Sequence, residues 1–137
     1  TRFNITLQDG VDFVLKCLDR MWGGELFVPK IPSYKILDVA EAIAPECNIK
    51  IVGIRPGEKI HEEMITASDS YNTYDIGKYY IILPSNPDWN LNDFISSNNA
   101  KKVEPGFSFN SGTNKEWETV KSLRDLINKH LGYNIEK

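Results

Sequence analysis

Residues 49–65 read IKIVGIRPGEKIHEEMI. The apolar residues Ile49, Ile51 and Val52 predict a short strand over IKIVGI, and Pro56–Gly57 predicts the turn that ends it. IHEEMI, residues 60–65, is expected to form a short helix. Pro and Gly account for a turn. They do not account for Arg55 directly before them or Glu58 directly after. In open α/β sheets, ligands bind at loops that follow the carboxyl ends of strands. A guanidinium fork suits phosphate oxygens, and a carboxylate at Glu58 can accept two hydrogen bonds from the vicinal hydroxyls of a ribose. Spacing alone leaves an alternative open, in which Arg55 is a surface cation paired with Glu58 or Glu62.

Upstream, TRFNI predicts a short extended stretch. Thr6 followed by Asp9 is an N-cap signal. Val11, Val14, Leu15, Leu18 and Met21 then repeat at helical spacing, and Gly23–Gly24 is expected to end that helix. ELFVPK reads as a strand. Ser33 is expected to cap a second helix, with Ile36, Leu37, Val39, Ala40 and Ile43 on its apolar face and Pro45 stopping it. Downstream, a strand is expected around Tyr79–Leu83. Residues 84–114 carry Pro84, Pro87, Pro105, Gly106 and Gly112, and read as a long loop with one brief strand near Phe107–Phe109. Thr113 with Glu116 predicts the cap of a last helix bearing Trp117, Val120, Leu123, Ile127 and Leu131. The fold class is thus α/β, a small mixed helix/strand lobe. Its few short strands are too little to cover every helical face, which suits a lobe packed on a larger α/β domain.

The 137 residues hold 16 basic and 19 acidic side chains, a formal charge of −3. That balance lacks the broad electropositive face that nucleic acid or an anionic membrane requires. No run is long and apolar enough to span a bilayer. Cys17 and Cys47 form neither a disulfide framework nor a metal spacing, and a reducing, cytoplasmic setting is expected. The chain opens at TRF without methionine, so a piece of a longer protein is expected.

Chemistry-bearing motifs are sparse. There is no G-x-G-x-x-G, P-loop or G-x-S-x-G. HEEM is not H-E-x-x-H, so His61 reads as a surface or helix residue rather than a metal ligand. His130 suits a helix C-terminus. Tyr71, Tyr74, Tyr79 and Tyr80 read as strand or interface material, and none is read as half of a catalytic Tyr-x-x-x-Lys pair. Arg2 is a second candidate for anion binding, but an arginine near a chain start is by itself an ordinary surface charge.

TRFNITLQDGVDFVLKCL, GGELFVPKIPSYKILDVAEAIAP, IKIVGIRPGEKIHEEMI and EPGFSFNSGTNKEWETVKSLRDLI, in that order, resemble the C-terminal part of the inverting UDP-N-acetylglucosamine 4,6-dehydratases. These are extended short-chain dehydrogenases/reductases. The likeness runs from residue 1 to about Leu131. RPG followed by an acidic residue is shared with related nucleotide-sugar epimerases, whereas FSFNSGTN points to the inverting dehydratases.

The resemblance implies that residues 1–137 are a UDP-sugar-binding lobe whose N-terminal Rossmann domain is missing. Arg2 and Arg55 would bind the diphosphate and Glu58 the ribose, with Thr1 and Asn4 nearby. NADP and the catalytic residues would lie in the missing half, so this chain alone would bind no cofactor and be inactive. The parent would be a homo-oligomer that oxidises C4, removes water across C5 and C6, and returns hydride to C6 with inversion at C5. Its product would feed pseudaminic-acid-type surface glycans. The alternatives are a free-standing non-catalytic nucleotide-sugar-binding or docking module, and the lobe of a related UDP-sugar epimerase.

Overall fold

The Thr6 hydroxyl accepts the Asp9 N–H at 3.1 Å, the cap that the sequence predicts, and a helix follows over Leu7–Leu18. The computed structural model describes residues 1–132. In chain order they form β1 (Arg2–Phe3), α1 (Leu7–Leu18), β2 (Leu26–Pro29), β3 (Ser33–Tyr34), α2 (Ile36–Ile43) and β4 (Glu63–Ile65). After a 3₁₀ turn at Asp69–Asn72 come β5 (Thr73–Asp75), β6 (Tyr79–Ile82), α3 (Leu91–Asn98), β7 (Lys101–Lys102), β8 (Phe109–Asn110) and α4 (Val120–Leu131). The class is mixed α/β, as expected. No helix among the described residues is long and apolar enough to cross a membrane.

The chain divides into two units. The first takes Thr1–Asn4, Pro32–Glu62 and the segment from Ser111 onward. In it β1 pairs antiparallel with β3, Arg2 opposite Tyr34 and Phe3 opposite Ser33. α2 packs on α4, burying Ala42 and Leu123. The Arg124 Nε donates to the Ala42 carbonyl at 3.2 Å, using an acceptor that the end of α2 leaves open.

The second unit takes Ile5–Ile31 and Glu63–Asn110. Its sheet has the order β2-β6-β5-β7, antiparallel throughout, and β4 pairs separately with β8. Ile81, Leu83 and Phe94 form its core, with Phe27, Tyr74, Ile76 and Trp89 packed against them. Each such side chain contributes about 1.5–3 kcal/mol on full burial. Trp22 meets Phe94 edge-on at 5.3 Å, and Trp89 stacks on it at 4.8 Å. α1 fully buries none of its residues, and its Val14, Leu15 and Leu18 remain exposed.

Several expectations are corrected. Residues 49–54 form no strand: Ile51 and Val52 are 78% and 79% exposed, and no ladder partner exists among the described residues. An extended run without a partner leaves its amides and carbonyls unpaired and gains nothing from its apolar side chains. IHEEMI is not helical, because Glu63 and Ile65 pair with Asn110 and Phe109. The expected loop 84–114 contains α3, capped by Asn90 and closed by Asn99 at φ 48°, as well as β7, and its one expected brief strand is β8.

Ser33 does not cap α2. It lies buried in β3, its amide donating to the Glu116 carbonyl at 2.9 Å and its carbonyl accepting from Glu118 at 2.7 Å. Those two bonds hold residues 116–118 extended. α4 therefore starts at Val120, capped by Thr119 and Ser122 rather than by Thr113 and Glu116, and Trp117 precedes it. α1 ends at Leu18, ahead of Gly23 and Gly24.

Candidate functional site

The RPGE segment is a closed β-turn. The Glu58 N–H donates to the Arg55 carbonyl at 3.0 Å, the bond from fourth residue to first. Gly57, at the third position, has φ +80°, which a side chain there would resist. Pro56 at the second position supplies a fixed φ. These are the features of a type II turn. A second bond closes it from the side chain: the Arg55 N–H donates to Glu58 Oε2 at 2.9 Å. Glu58 thus holds the turn with one carboxylate oxygen. The Arg55 side chain is exposed and makes no hydrogen bond or ion pair with another described residue.

The C-terminal end of this loop is tied down by the first residues of the chain. Arg2 Nη1 donates to the carbonyls of Thr1 at 2.7 Å and Ile60 at 3.3 Å, and its Nε lies 3.4 Å from Glu62 Oε1. The Thr1 nitrogen donates to the Ile60 carbonyl at 2.8 Å. The other Glu62 oxygen accepts the Phe3 N–H at 3.2 Å. The Thr1 hydroxyl lies 2.8 Å from His61 Nδ1 and 2.7 Å from Ser111 Oγ. Asn4 faces elsewhere, its amide donating to Glu118 Oε1 at 3.1 Å.

The five residues singled out from the sequence therefore all fall in the first unit. Thr1 and Arg2 contact residues 60–62, the end of the loop that carries Arg55 and Glu58. No hydrogen bond or ion pair joins the Arg2 or Asn4 side chain to Arg55 or Glu58 among the described residues. Arg2 already has Glu62 as an ion-pair partner. His61 is exposed, as the surface alternative for it expects, and it is not in a helix. It is instead a fixed neighbour of Thr1, and the pairing of β4 with β8, which brings Ser111 and Gly112 close, carries no local signal.

Two other groupings are not sites of this kind. Tyr74 stands four residues before Lys78, the spacing of a Tyr-x-x-x-Lys pair. The two are not on one helix, however, because Tyr74 lies in β5 opposite Ile81 and Lys78 lies in the turn before β6. Lys30 Nζ pairs with Asp75 Oδ1 at 2.7 Å and sits 4.4 Å from the centre of the Tyr80 ring. Burial, and then the Asp75 charge, raise the Tyr80 pKa above its ordinary value, so this phenol is held protonated rather than activated. No cluster of three or more His, Cys, Asp or Glu side chains fit to hold a metal occurs among the described residues.

Residues 1–84 match the family model described as polysaccharide biosynthesis protein. Two relatives from Campylobacter jejuni strains, both named UDP-N-acetylglucosamine 4,6-dehydratase (inverting), are 47% identical over 97% of this chain and 41% of their own length. A UDP-glucose 4-epimerase from Rickettsia prowazekii is 31% identical over 93% of this chain and 38% of its own. The X-ray structure of Pen from Bacillus thuringiensis is similar with a TM-score of 0.72 and 25% identity, over 94% of this chain and 38% of that one. The chain spans about two fifths of the length of these curated relatives.

Proposed function

The chain belongs to the polysaccharide biosynthesis protein family, and from that premise we propose that it holds the UDP end of a nucleotide sugar for the C5-inverting 4,6-dehydration of UDP-N-acetylglucosamine. The observation that carries the reading is the RPGE turn. Pro56, Gly57 and the Glu58 carboxylate fix its shape, while the Arg55 guanidinium stands exposed without a partner among the described residues. The 47% identity to the two inverting dehydratases supports the choice of substrate.

In this reading Arg55 grips the diphosphate and Arg2 adds charge through Nη2, the guanidinium nitrogen not bonded to Thr1, Ile60 or Glu62. Glu58 offers Oε1 to the ribose hydroxyls while Oε2 keeps the turn closed. Thr1 and Asn4 act as supports, Asn4 by holding Glu118.

The dehydration needs NADP to take and return a hydride. The sequence has no glycine-rich dinucleotide loop, and the described residues hold no Tyr–Lys pair on a helix, so they do not fit that cofactor. Hydride and proton transfer belong, in this reading, to the part of the relatives' length that this chain does not span. The chain alone binds without turnover. The parent enzyme would be a cytoplasmic homo-oligomer supplying pseudaminic-acid-type surface glycans.

Calorimetric titration of the chain with UDP tests the reading. A hydrogen bond to a charged group is worth about 1.5–3 kcal/mol, so Arg55→Ala should weaken binding roughly tenfold or more. A folded chain that binds no UDP overturns it. The 31% identity to a UDP-glucose 4-epimerase favours a second reading with the same nucleotide contacts and a different sugar. Competition between UDP-glucose and UDP-N-acetylglucosamine for the site, with tighter binding of the former, would support that alternative.

A further inference from the structure

Residues 60–62 are bonded far more heavily than the turn they follow. The Ile60 carbonyl accepts from the Thr1 nitrogen and from Arg2, and Glu62 receives Arg2 and the Phe3 amide on its two oxygens. The Glu62 backbone pairs with Ser111 in both directions, its N–H donating to Ser111 Oγ at 2.8 Å and its carbonyl accepting the Ser111 N–H at 2.8 Å. On the other side of the turn, residues 49–54 have no ladder partner among the described residues. Arg55 and Glu58 are therefore held in place from the C-terminal side.

The His61 ring is part of this anchor, and a hydrogen-bond chain specifies how. Ser111 is fully buried, and its oxygen accepts the Glu62 N–H. The same oxygen lies 2.7 Å from Thr1 Oγ1, which in turn lies 2.8 Å from His61 Nδ1, so one chain of hydrogen bonds joins Ser111, Thr1 and the ring. Nδ1 is the ring nitrogen that meets the Thr1 hydroxyl, as acceptor or donor according to the tautomer. The ring also lies against the Cα of Gly112. A methyl group there would fall 2.6 Å from Nδ1 and 2.8 Å from Cγ and Cε1, closer than packed atoms approach. Gly112 does not have a positive φ, so its backbone does not demand glycine. The space for the ring does.

We propose that His61 is a positioning residue for the RPGE turn, acting through Nδ1 on the Thr1 hydroxyl, and that Gly112 is glycine so that the ring can reach that hydroxyl. The proposal rests on the reading of Arg55 and Glu58 as nucleotide contacts. It goes beyond that reading in assigning a role to two residues that touch no ligand in it.

The test uses the geometry of side-chain amides. An Asn amide places its polar atoms near where Nδ1 of histidine sits, and a Gln amide near where Nε2 sits. With UDP as the probe, His61→Asn should keep affinity within about threefold, while His61→Ala, His61→Gln and Gly112→Ala each lose roughly tenfold, the scale of one net hydrogen bond. Gly112→Ala should add nothing in the His61→Ala background, since both act through one ring.

A second readout needs no nucleotide. Amide exchange at Arg55 and Glu58 in the free chain should quicken in the same three variants and stay near wild type in His61→Asn. Rescue by Gln rather than Asn would make His61 a ligand-touching group and overturn the proposal, as would amide exchange that none of the substitutions changes. A folded chain that fails to bind UDP while amide exchange follows the predicted pattern would sink the nucleotide reading and leave the positioning role standing.

Discussion

The Arg55 N–H donates to a Glu58 carboxylate oxygen at 2.9 Å, and the Glu58 N–H donates back to the Arg55 carbonyl at 3.0 Å. The two residues are therefore partners in shaping the turn before either meets a ligand. Glu58 has two separable properties here, an acceptor for the Arg55 amide and, in the proposed function, a negative charge for ribose hydroxyls. Glu58→Gln keeps an acceptor and loses the charge, whereas Glu58→Ala loses both. Amide exchange at Arg55 should rise clearly in the Ala variant and little in the Gln variant. UDP affinity should fall several-fold in both, on the scale of one hydrogen bond to a charged group. Equal exchange in the two variants would show that charge rather than the acceptor holds the turn.

The start of α4 gives a second prediction. Thr119 accepts the Ser122 amide at 3.1 Å and the Ser122 hydroxyl accepts the Thr119 amide at 2.8 Å, a reciprocal cap. Thr119→Ala should cost about 1 kcal/mol by urea denaturation. Thr113, the cap that sequence spacing suggests, lies exposed outside the helix, so Thr113→Ala should change stability by less than about 0.5 kcal/mol.

A third prediction concerns acid. The Thr66 hydroxyl donates to Asp69 Oδ2 at 2.6 Å and the Thr66 amide to the same oxygen at 2.9 Å. These bonds, the hydroxyl first and the amide second, lower the Asp69 pKa below its ordinary value of 3.8. A carboxylate whose pKa is lowered on folding stabilises the fold fully above its unfolded value. That contribution is lost as pH falls through the lowered folded value. Thr66→Val removes the hydroxyl donor, so Asp69 should titrate closer to its ordinary value in a carboxyl NMR titration. An unchanged titration would show that the amide alone sets the shift.

What was legible in the sequence was what neighbours decide. Thr6 and Asp9 are three residues apart and cap α1 as their spacing says. Pro56 and Gly57 make the expected turn, and Tyr79–Ile82 makes the expected strand. What was misread depends on distant partners. Glu63–Ile65 is extended because Phe109–Asn110 pairs with it, and residues 116–118 are extended because Ser33 bonds to them. α3 escaped notice because a single fully buried side chain, Phe94, anchors a helix otherwise rich in Asn and Ser. Its caps, Asn90 and Asn99, were readable signals. In the site, Arg55 and Glu58 announced themselves by their place around a turn, but His61 and Gly112 did not, since nothing local brings residue 112 to residue 61.

The Thr1 hydroxyl meets His61 across 60 positions of sequence and Ser111 across 110. Closing loops of that length costs chain entropy before any bond forms, whereas α1, α3 and α4 carry caps supplied within three residues. The order of events during refolding follows from that difference. Helices should appear early from short-range contacts, and the bonds around Thr1 should appear last, when both long loops have shut. Arg2 and the loop bearing Arg55 are strangers until that final step. If the proposed function holds, the ability to capture a nucleotide should accordingly lag behind the recovery of helical signal, and the interval between the two marks how long the chain is folded in its parts without being competent as a whole.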